Sequence, residues 1–440
     1  TADSSPFEHM DHTLNRMSDN RLQAPAGTSP SPLFRAFPGL RPAPGHAPSV
    51  VAPPYDVLSS AEARAAAADR PASFLHISKA EIDLPPGTDP YSPQVYARAA
   101  ENFARMRAEG ILIVDPVPCY YVYQLIMGRH EQNGLVVAAS VAAYESGRIL
   151  RHELTRPDKE DDRVRQIEAL DAQTGPVFLT CREHPDMTRL LAQARLERPE
   201  VDVRLGGVQH RLWVVRDPQT VLELDALQPR LGTLYIADGH HRSAAAARIA
   251  AARRQREPHH TGLEPWNYFL AVLFPDREMQ ILDYNRVVRD WGGRDSAAFF
   301  RGLEQSFSVV PSRAPVKPGR KGEFGLYTGG RWWRLALHAE SIGRDPLESL
   351  DVRLLDRYCL EPLLGISDPR RDRRIDFVGG IRGLQELERR VDSGDAVLAL
   401  SLFPTALSEL MAVADQGAIM PPKSTWFEPK LADGLVSHLL

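Results

Sequence analysis

An α+β fold is what this sequence predicts, on three observations. Hydrophobic residues make up 43 % and charged residues 25 % of 440 residues, enough to bury a sizeable core in two or three domains. β-type and helical runs are interspersed, and two neighbouring β-type runs, 119–127 and 134–144, are joined by a polar turn. The character of the sequence changes near 290–294, which divides it into an N-terminal α/β region (34–290) and a C-terminal α/β domain (291–440).

The elements follow in order. Residues 1–33 are rich in Ser, Pro, Asp and Asn and predict a flexible arm. The stretch 49–58 (SVVAPPYDVL) predicts a short apolar strand broken by Pro53 and Pro54. Helices are expected over the Ala-rich 60–70 and over 93–110, where Gly110 suits a C-cap. After the strand pair comes a charge-dense segment, 151–163. Short strands are then expected at 176–181, 211–215 and 233–237. The run SAAAARIAAARRQRE is strongly helical. Strands at 269–274 and 280–288 close the first region. The second predicts helices at 296–306, 346–360 and 381–393, a hairpin at Gly329–Gly330, strands at 374–378 and 396–402, and a terminal loop, MPPKSTWFEPK.

Charge and cysteine content exclude several classes. Lys plus Arg is 53 and Asp plus Glu is 57, a net charge of −4, which stands against a chain-wide polyanion binder. Cys119, Cys181 and Cys359 are far apart and odd in number, so neither a zinc finger nor a disulfide scaffold is expected. No apolar run reaches the roughly 18 residues of a spanning helix. No signal-peptide pattern precedes the globular part, and a cytoplasmic location is expected. Positive charge comes mostly from Arg. The six lysines are Lys79, Lys159, Lys317, Lys321, Lys423 and Lys430, so a lysine inside a polar motif is informative.

The densest motif is LYIADGHHRSAAAARIAAARR: a strand, a tight turn at Asp238–Gly239 and a helix start at His240, His241 and Arg242. Helix N-termini present unpaired N–H groups and partial positive charge to phosphate. Gly239 permits close backbone approach, Arg242 suits bidentate contact with phosphate oxygens, and the imidazoles suit proton transfer. The same residues also suit a helix capped by Asp238 with histidines at the surface. Adjacent helical residues project about 100° apart, so His240 and His241 are poorly placed to share a metal ion.

Strand–DGHHR–helix resembles the phosphate-binding corner of the ParB/sulfiredoxin fold. His240 stands near the place of the sulfiredoxin cysteine, which argues against sulfinic-acid reduction. The DGHHR form is most similar to the free serine kinases of that fold, which phosphorylate serine with ADP or ATP. From about Phe34 onward the chain also resembles a widespread bacterial family of unknown function carrying APPYDV, HE-x-T, ADGHHR and PPKST.

The resemblance implies a ParB/sulfiredoxin-like core with a large N-terminal extension or insertion, and assigns roles. Glu153, in a His-Glu pair upstream of DGHHR, becomes the base that accepts the serine hydroxyl proton, with Asp238 and His240 as its catalytic companions. Gly239, His241, Arg242 and Lys159 bind phosphate or nucleotide. His152, Thr155, Arg163, Lys423, Ser424, Thr425 and Lys430 bind substrate, with Lys423, Ser424 and Thr425 in a stretch that resembles the P-K-[ST]-T of the kinases. Mg²⁺ and ATP or ADP are the expected cofactors, with metal ligands unassigned. Asp161 and Asp162 suit either Mg²⁺ or a solvated helix face with i, i+4 pairs, and the second is expected. Tyr55 and Asp56 suit substrate contact, metal contact or a simple turn. The expected partners are a small hydroxy amino acid, L-serine first, and a nucleotide; a homo-oligomer stays open, and neither a membrane nor nucleic acid is expected. Two other readings use the same residues: a ParB-type nucleotide switch touching DNA through Arg248, Arg253, Arg254 and Arg256, and a phosphatase, since water and serine are both hydroxyl nucleophiles. No P-loop and no GxGxxG follows a strand.

Overall fold

The structure is a computed structural model that describes residues 31–440. It is mixed α+β, built on two sheets. The arm expected over 1–33 lies outside the described residues except at its end, where Leu33 is already buried.

The larger sheet has nine strands. Its centre is the antiparallel set Tyr268–Pro275, His130–Ser140, Tyr120–Met127 and Val208–Val215. On one side Val177–Cys181 runs parallel to Tyr268–Pro275 and antiparallel to Leu234–Asp238. Tyr120–Met127 and Tyr268–Pro275 are mostly apolar and, with the second half of His130–Ser140, are buried on both faces, as a covered sheet requires. The six-stranded sheet contains Tyr284–Val288, Ile375–Gly379, Leu398–Leu402 and the hairpin Glu323–Thr328/Arg331–Leu337. One continuous apolar cluster runs through both sheets, from Phe178 and Phe274 past Phe427 to Met411 and Leu400.

Three expectations are corrected. Residues 49–58 are not a strand. Ala47–Val50 is a helical turn, Tyr55–Val57 is a 3₁₀ turn, and only Ala52 pairs, in a lone bridge to Asp433. The strand expected over 134–144 runs from His130 to Ser140, where the Ser140 hydroxyl accepts from the Ala143 N–H and starts the helix Val141–Glu145. The run 280–288 is two strands: Gln280–Leu282 pairs with Trp426–Glu428, and Tyr284–Val288 enters the six-stranded sheet. The helices Pro185–Ala194, Pro218–Leu231 and Leu407–Asp415 had no counterpart in the sequence reading.

Two packing features position the site. The helix Pro157–Leu170 lies against the helix His240–Arg256, with Ile167 on Ala245 and Ile249. The alanines let the two backbones come close, so the first turns of both helices meet. The last residues of the chain return to its beginning. Ala52 bridges Asp433, Leu40 bridges Ser437, and His438–Leu439 pairs with Ala172–Gln173. Gly434 adopts φ +83°, and a Cβ there would lie 2.8 Å from Phe74.

Candidate functional site

The strand Leu234–Asp238 carries an irregularity in register between Ile236 and Asp238, which re-aims the Asp238 side chain. Gly239 then turns the chain at φ +100° and occupies the N-cap of the helix. Asp238 therefore does not cap it. Its carboxylate faces Lys430 Nζ at 3.3 Å and Arg242 Nη2 at 3.9 Å. Burial opposes its charge, but Lys430, Arg242 and His240 outweigh that and hold the carboxyl well below the usual range. Arg242 is partly buried and also donates to the Pro176 carbonyl.

Gly239→Ala tests this turn. A Cβ there would meet Arg242 Nε at 3.1 Å and the Val177 Cα at 3.2 Å, in a backbone region that costs a non-glycine residue about 1–3 kcal/mol. The expected result is a loss of stability of at least that much, read as a lower thermal midpoint.

His152 and Glu153 follow the short strand Ile149–Leu150, which pairs beside Leu234–Asp238. His152 is 2 % exposed. Its backbone carbonyl accepts from the Met420 N–H at 2.8 Å, and its ring bonds the Ile236 carbonyl. Burial pushes its imidazole down to about 4, so it is neutral at pH 7. Its ring meets that of His240 edge to face, 4.6 Å between centroids. Burial, with His152 adding, also holds His240 well below its ordinary value. Glu153 Oε2 lies 3.9 Å from His240 Nδ1. Enclosure by the protein, then Asp238, raises the Glu153 carboxyl against the opposing charge of Lys423.

The remaining predicted residues approach from three directions. His241 Nε2 accepts from the Arg156 N–H at 3.1 Å. Thr155 donates to Glu160, and Lys159 Nζ contacts the Tyr91 hydroxyl. Arg163 lies over the Tyr55 ring at 3.9 Å and forks onto Asp162. Asp162 corrects an expectation: it is buried and accepts from the Tyr96 hydroxyl at 2.8 Å, so it is no part of a solvated face. Asp161 is exposed and pairs with Arg248, as expected of such a face. Lys423 sits at φ +61°, and its carbonyl accepts from buried Arg286. Ser424 is buried, donates to Pro421 and accepts from Thr405, so its polar groups shape the loop.

These groups line one cleft. A cavity of about 990 Å³ is bordered by Glu153, Thr155, Lys159, Arg163, His241 and Lys423. A second, of about 280 Å³, is bordered by His152, Glu153, the Asp238–Arg242 turn, Lys423, Ser424, Thr425 and Lys430. The two share Tyr55, Asp56, Glu153 and Lys423, so they are continuous. Tyr55 is thus more than a turn: its hydroxyl is pushed up to about 12 by burial against the opposing Arg163.

Sequence reasoning missed Asp433. It is buried behind the cleft and accepts from the Tyr55 N–H at 3.2 Å. Burial pushes its carboxyl up to about 7, with Arg242 opposing. Nothing in LADGLVSHLL signals that partner, because Tyr55 lies 378 residues away. Three of the four arginines expected to touch DNA are engaged with carboxylates: Arg248 with Glu160 and Asp161, Arg253 with Asp171, Arg254 with Glu145.

Residues 34–353 match the family described as "Protein of unknown function (DUF1015)". No curated protein matches the chain. Among solved structures, a free serine kinase in complex with AMP is similar at 13 % identity and a TM-score of 0.30, over 64 % of this chain and 83 % of that one. A conserved hypothetical protein from Pyrococcus furiosus is similar at 13 % identity and 0.32, over 71 % and 98 %. SbnI with C-terminal truncation from Staphylococcus aureus is similar at 12 % identity and 0.34, over 67 % and 82 %. No helix among the described residues is long and apolar enough to cross a membrane.

Proposed function

The chain belongs to the DUF1015 family, and we propose that it is a phosphotransferase whose acceptor is a small hydroxy amino acid, free L-serine first, giving O-phospho-L-serine. One observation carries this reading. Glu153, the Asp238–Arg242 turn and Lys423 are far apart in sequence yet border the same cleft.

The chemistry follows from their types. The acceptor hydroxyl loses its proton to Glu153, whose raised carboxyl suits a base better than an ordinary one. The hydroxyl oxygen bonds the terminal phosphorus of ATP or ADP as the bond to the leaving nucleotide breaks. Phosphoryl transfer is catalysed mainly by placement and neutralisation of charge. The N–H groups at the start of His240–Arg256, with Lys423 and Lys430 nearby, supply both. Mg²⁺ needs oxygen ligands and travels with donor phosphates. Asp56 and Glu153 are the carboxylates on the wall of both cavities suited to steady it, and it would neutralise phosphate charge there. The boundary near residue 290 belongs to the same proposal, with Lys423 contributed by the C-terminal region.

The pairing of Arg248, Arg253 and Arg254 with carboxylates disfavours the DNA-binding reading. The decisive assay incubates the protein with Mg²⁺, serine and either ATP or ADP and measures phosphoserine by mass spectrometry. Product with one donor is expected. No product with either donor across several hydroxy amino acids overturns the proposal. Release of phosphate from phosphoserine, without the forward reaction, makes it a phosphatase.

A further inference from the structure

His152, Glu153 and His240 form the one group of three His, Cys, Asp or Glu side chains among the described residues close enough to share an ion. One ligand atom from each lies within 4.8 Å of the others. Two ligands bound 2.0–2.1 Å from a tetrahedral ion stand about 3.4 Å apart, so small rotations close the gap.

A second observation points the same way. His152 Nδ1 is buried and has no hydrogen-bond partner, in a residue 2 % exposed, and His240 turns its Nδ1 toward Glu153 at 3.9 Å. A buried nitrogen without a partner costs roughly 1–3 kcal/mol. The rest of His152 is arranged as a ligand requires. Its partnered ring nitrogen bonds the Ile236 carbonyl, which leaves the lone pair on Nδ1. Metal-binding histidines almost always make such a bond through the second nitrogen.

We infer that His152, Glu153 and His240 bind one divalent first-row transition ion of the Zn²⁺, Co²⁺ or Mn²⁺ class, at the floor of the cleft. Two nitrogens and one carboxylate suit those ions, whereas Mg²⁺ takes oxygens. Three protein ligands with a further position open to a cavity is the arrangement of catalytic rather than structural sites. Glu153 has two carboxylate oxygens, so one can ligate while the other takes a proton. His241, bonded to the Arg156 backbone, is not a member of the group.

The inference does not rest on phosphotransfer, and its test reads binding rather than turnover. The full-length chain is stripped with a chelator and titrated with Co²⁺, followed by visible absorption, then with Zn²⁺ in competition. The wild type is expected to bind a single equivalent of Co²⁺ that Zn²⁺ displaces and Mg²⁺ does not. His152→Ala and His240→Ala should each weaken binding at least ~100-fold, the upper end of what loss of a mere supporting partner causes. His184→Ala, remote from the cleft, should bind as the wild type does. Where a histidine variant loses its folded circular-dichroism spectrum, Glu153→Gln decides, because 41 % of its side chain is exposed; it should weaken binding at least ~10-fold. The inference is overturned if the wild type takes up no Co²⁺, if Mg²⁺ displaces it equally well, or if the folded variants bind as tightly as the wild type. A failed kinase assay leaves these outcomes intact, and failed metal uptake leaves the kinase assay intact.

Discussion

Glu153→Gln is expected to lower phosphoserine formation about 10²–10⁴-fold, the usual contribution of a positioned acid–base group. The substitution keeps size and shape and removes the charge with which Glu153 takes a proton or holds a metal ion. The expected loss is in kcat. The KM for the donor should change little, because the groups proposed to hold its phosphates, at the helix start and on Lys423 and Lys430, are left in place. Steady-state kinetics with serine and the active donor separates the two parameters. Equal turnover in the variant and the wild type removes Glu153 from the reaction. A rise in donor KM at constant kcat makes it a binding group instead. Fold is not at stake: the side chain is 41 % exposed and makes no buried hydrogen bond whose loss would destabilise the chain.

Removing residues 431–440 is expected to have the largest effect on stability. Leu431, Leu435 and Val436 are 5 %, 3 % and 5 % exposed. Burial of such side chains contributes about 1.5–3 kcal/mol each, which together approaches the roughly 5–15 kcal/mol total of a typical fold. The same cut removes both backbone bonds between Ala52 and Asp433 and both between Leu40 and Ser437, opening the layer behind the cleft. The truncated chain should be insoluble or lack a cooperative thermal transition. A soluble product melting within a few degrees of the full chain would show that the tail is dispensable. Asp433→Ala is milder: it leaves the apolar residues and removes the acceptor for the Tyr55 N–H, so it should lower stability by about 1–3 kcal/mol.

What could be read in the sequence follows a physical pattern. Leu234–Arg256 was legible because the apolar run, the glycine turn and the alanine-rich helix are all local signals. Chemistry-bearing residue types at that turn and in the His-Glu pair pointed to the cleft for the same reason. The misreadings occur where local signals conflict with distant partners. The apolar residues Val141–Ala143 continue a strand pattern, but the Ser140 cap turns the chain into a helix. The run 280–288 hides a break at Asp283, because each half pairs with a different, remote strand. Asp162 sits in an i, i+4 charge pattern typical of solvated helices, and only Tyr96, from another helix, makes it a buried residue. The stretch 49–58 is apolar enough for a strand, yet its one strand-type pairing is the lone bridge to Asp433.

That last pairing sets a timetable for synthesis. Residues 34–112 leave the ribosome first, but Ala52 cannot meet Asp433 until roughly 380 further residues are made. At 5–20 residues per second that takes roughly 20–80 s. Throughout that interval Val50, Ala52 and Phe74, fully buried in the finished fold, lack the segment that covers them. Long-range closure of this kind is slow and leaves apolar surface exposed to other nascent chains. An interrupted translation product would carry the DGHHR corner without the tail that closes behind it.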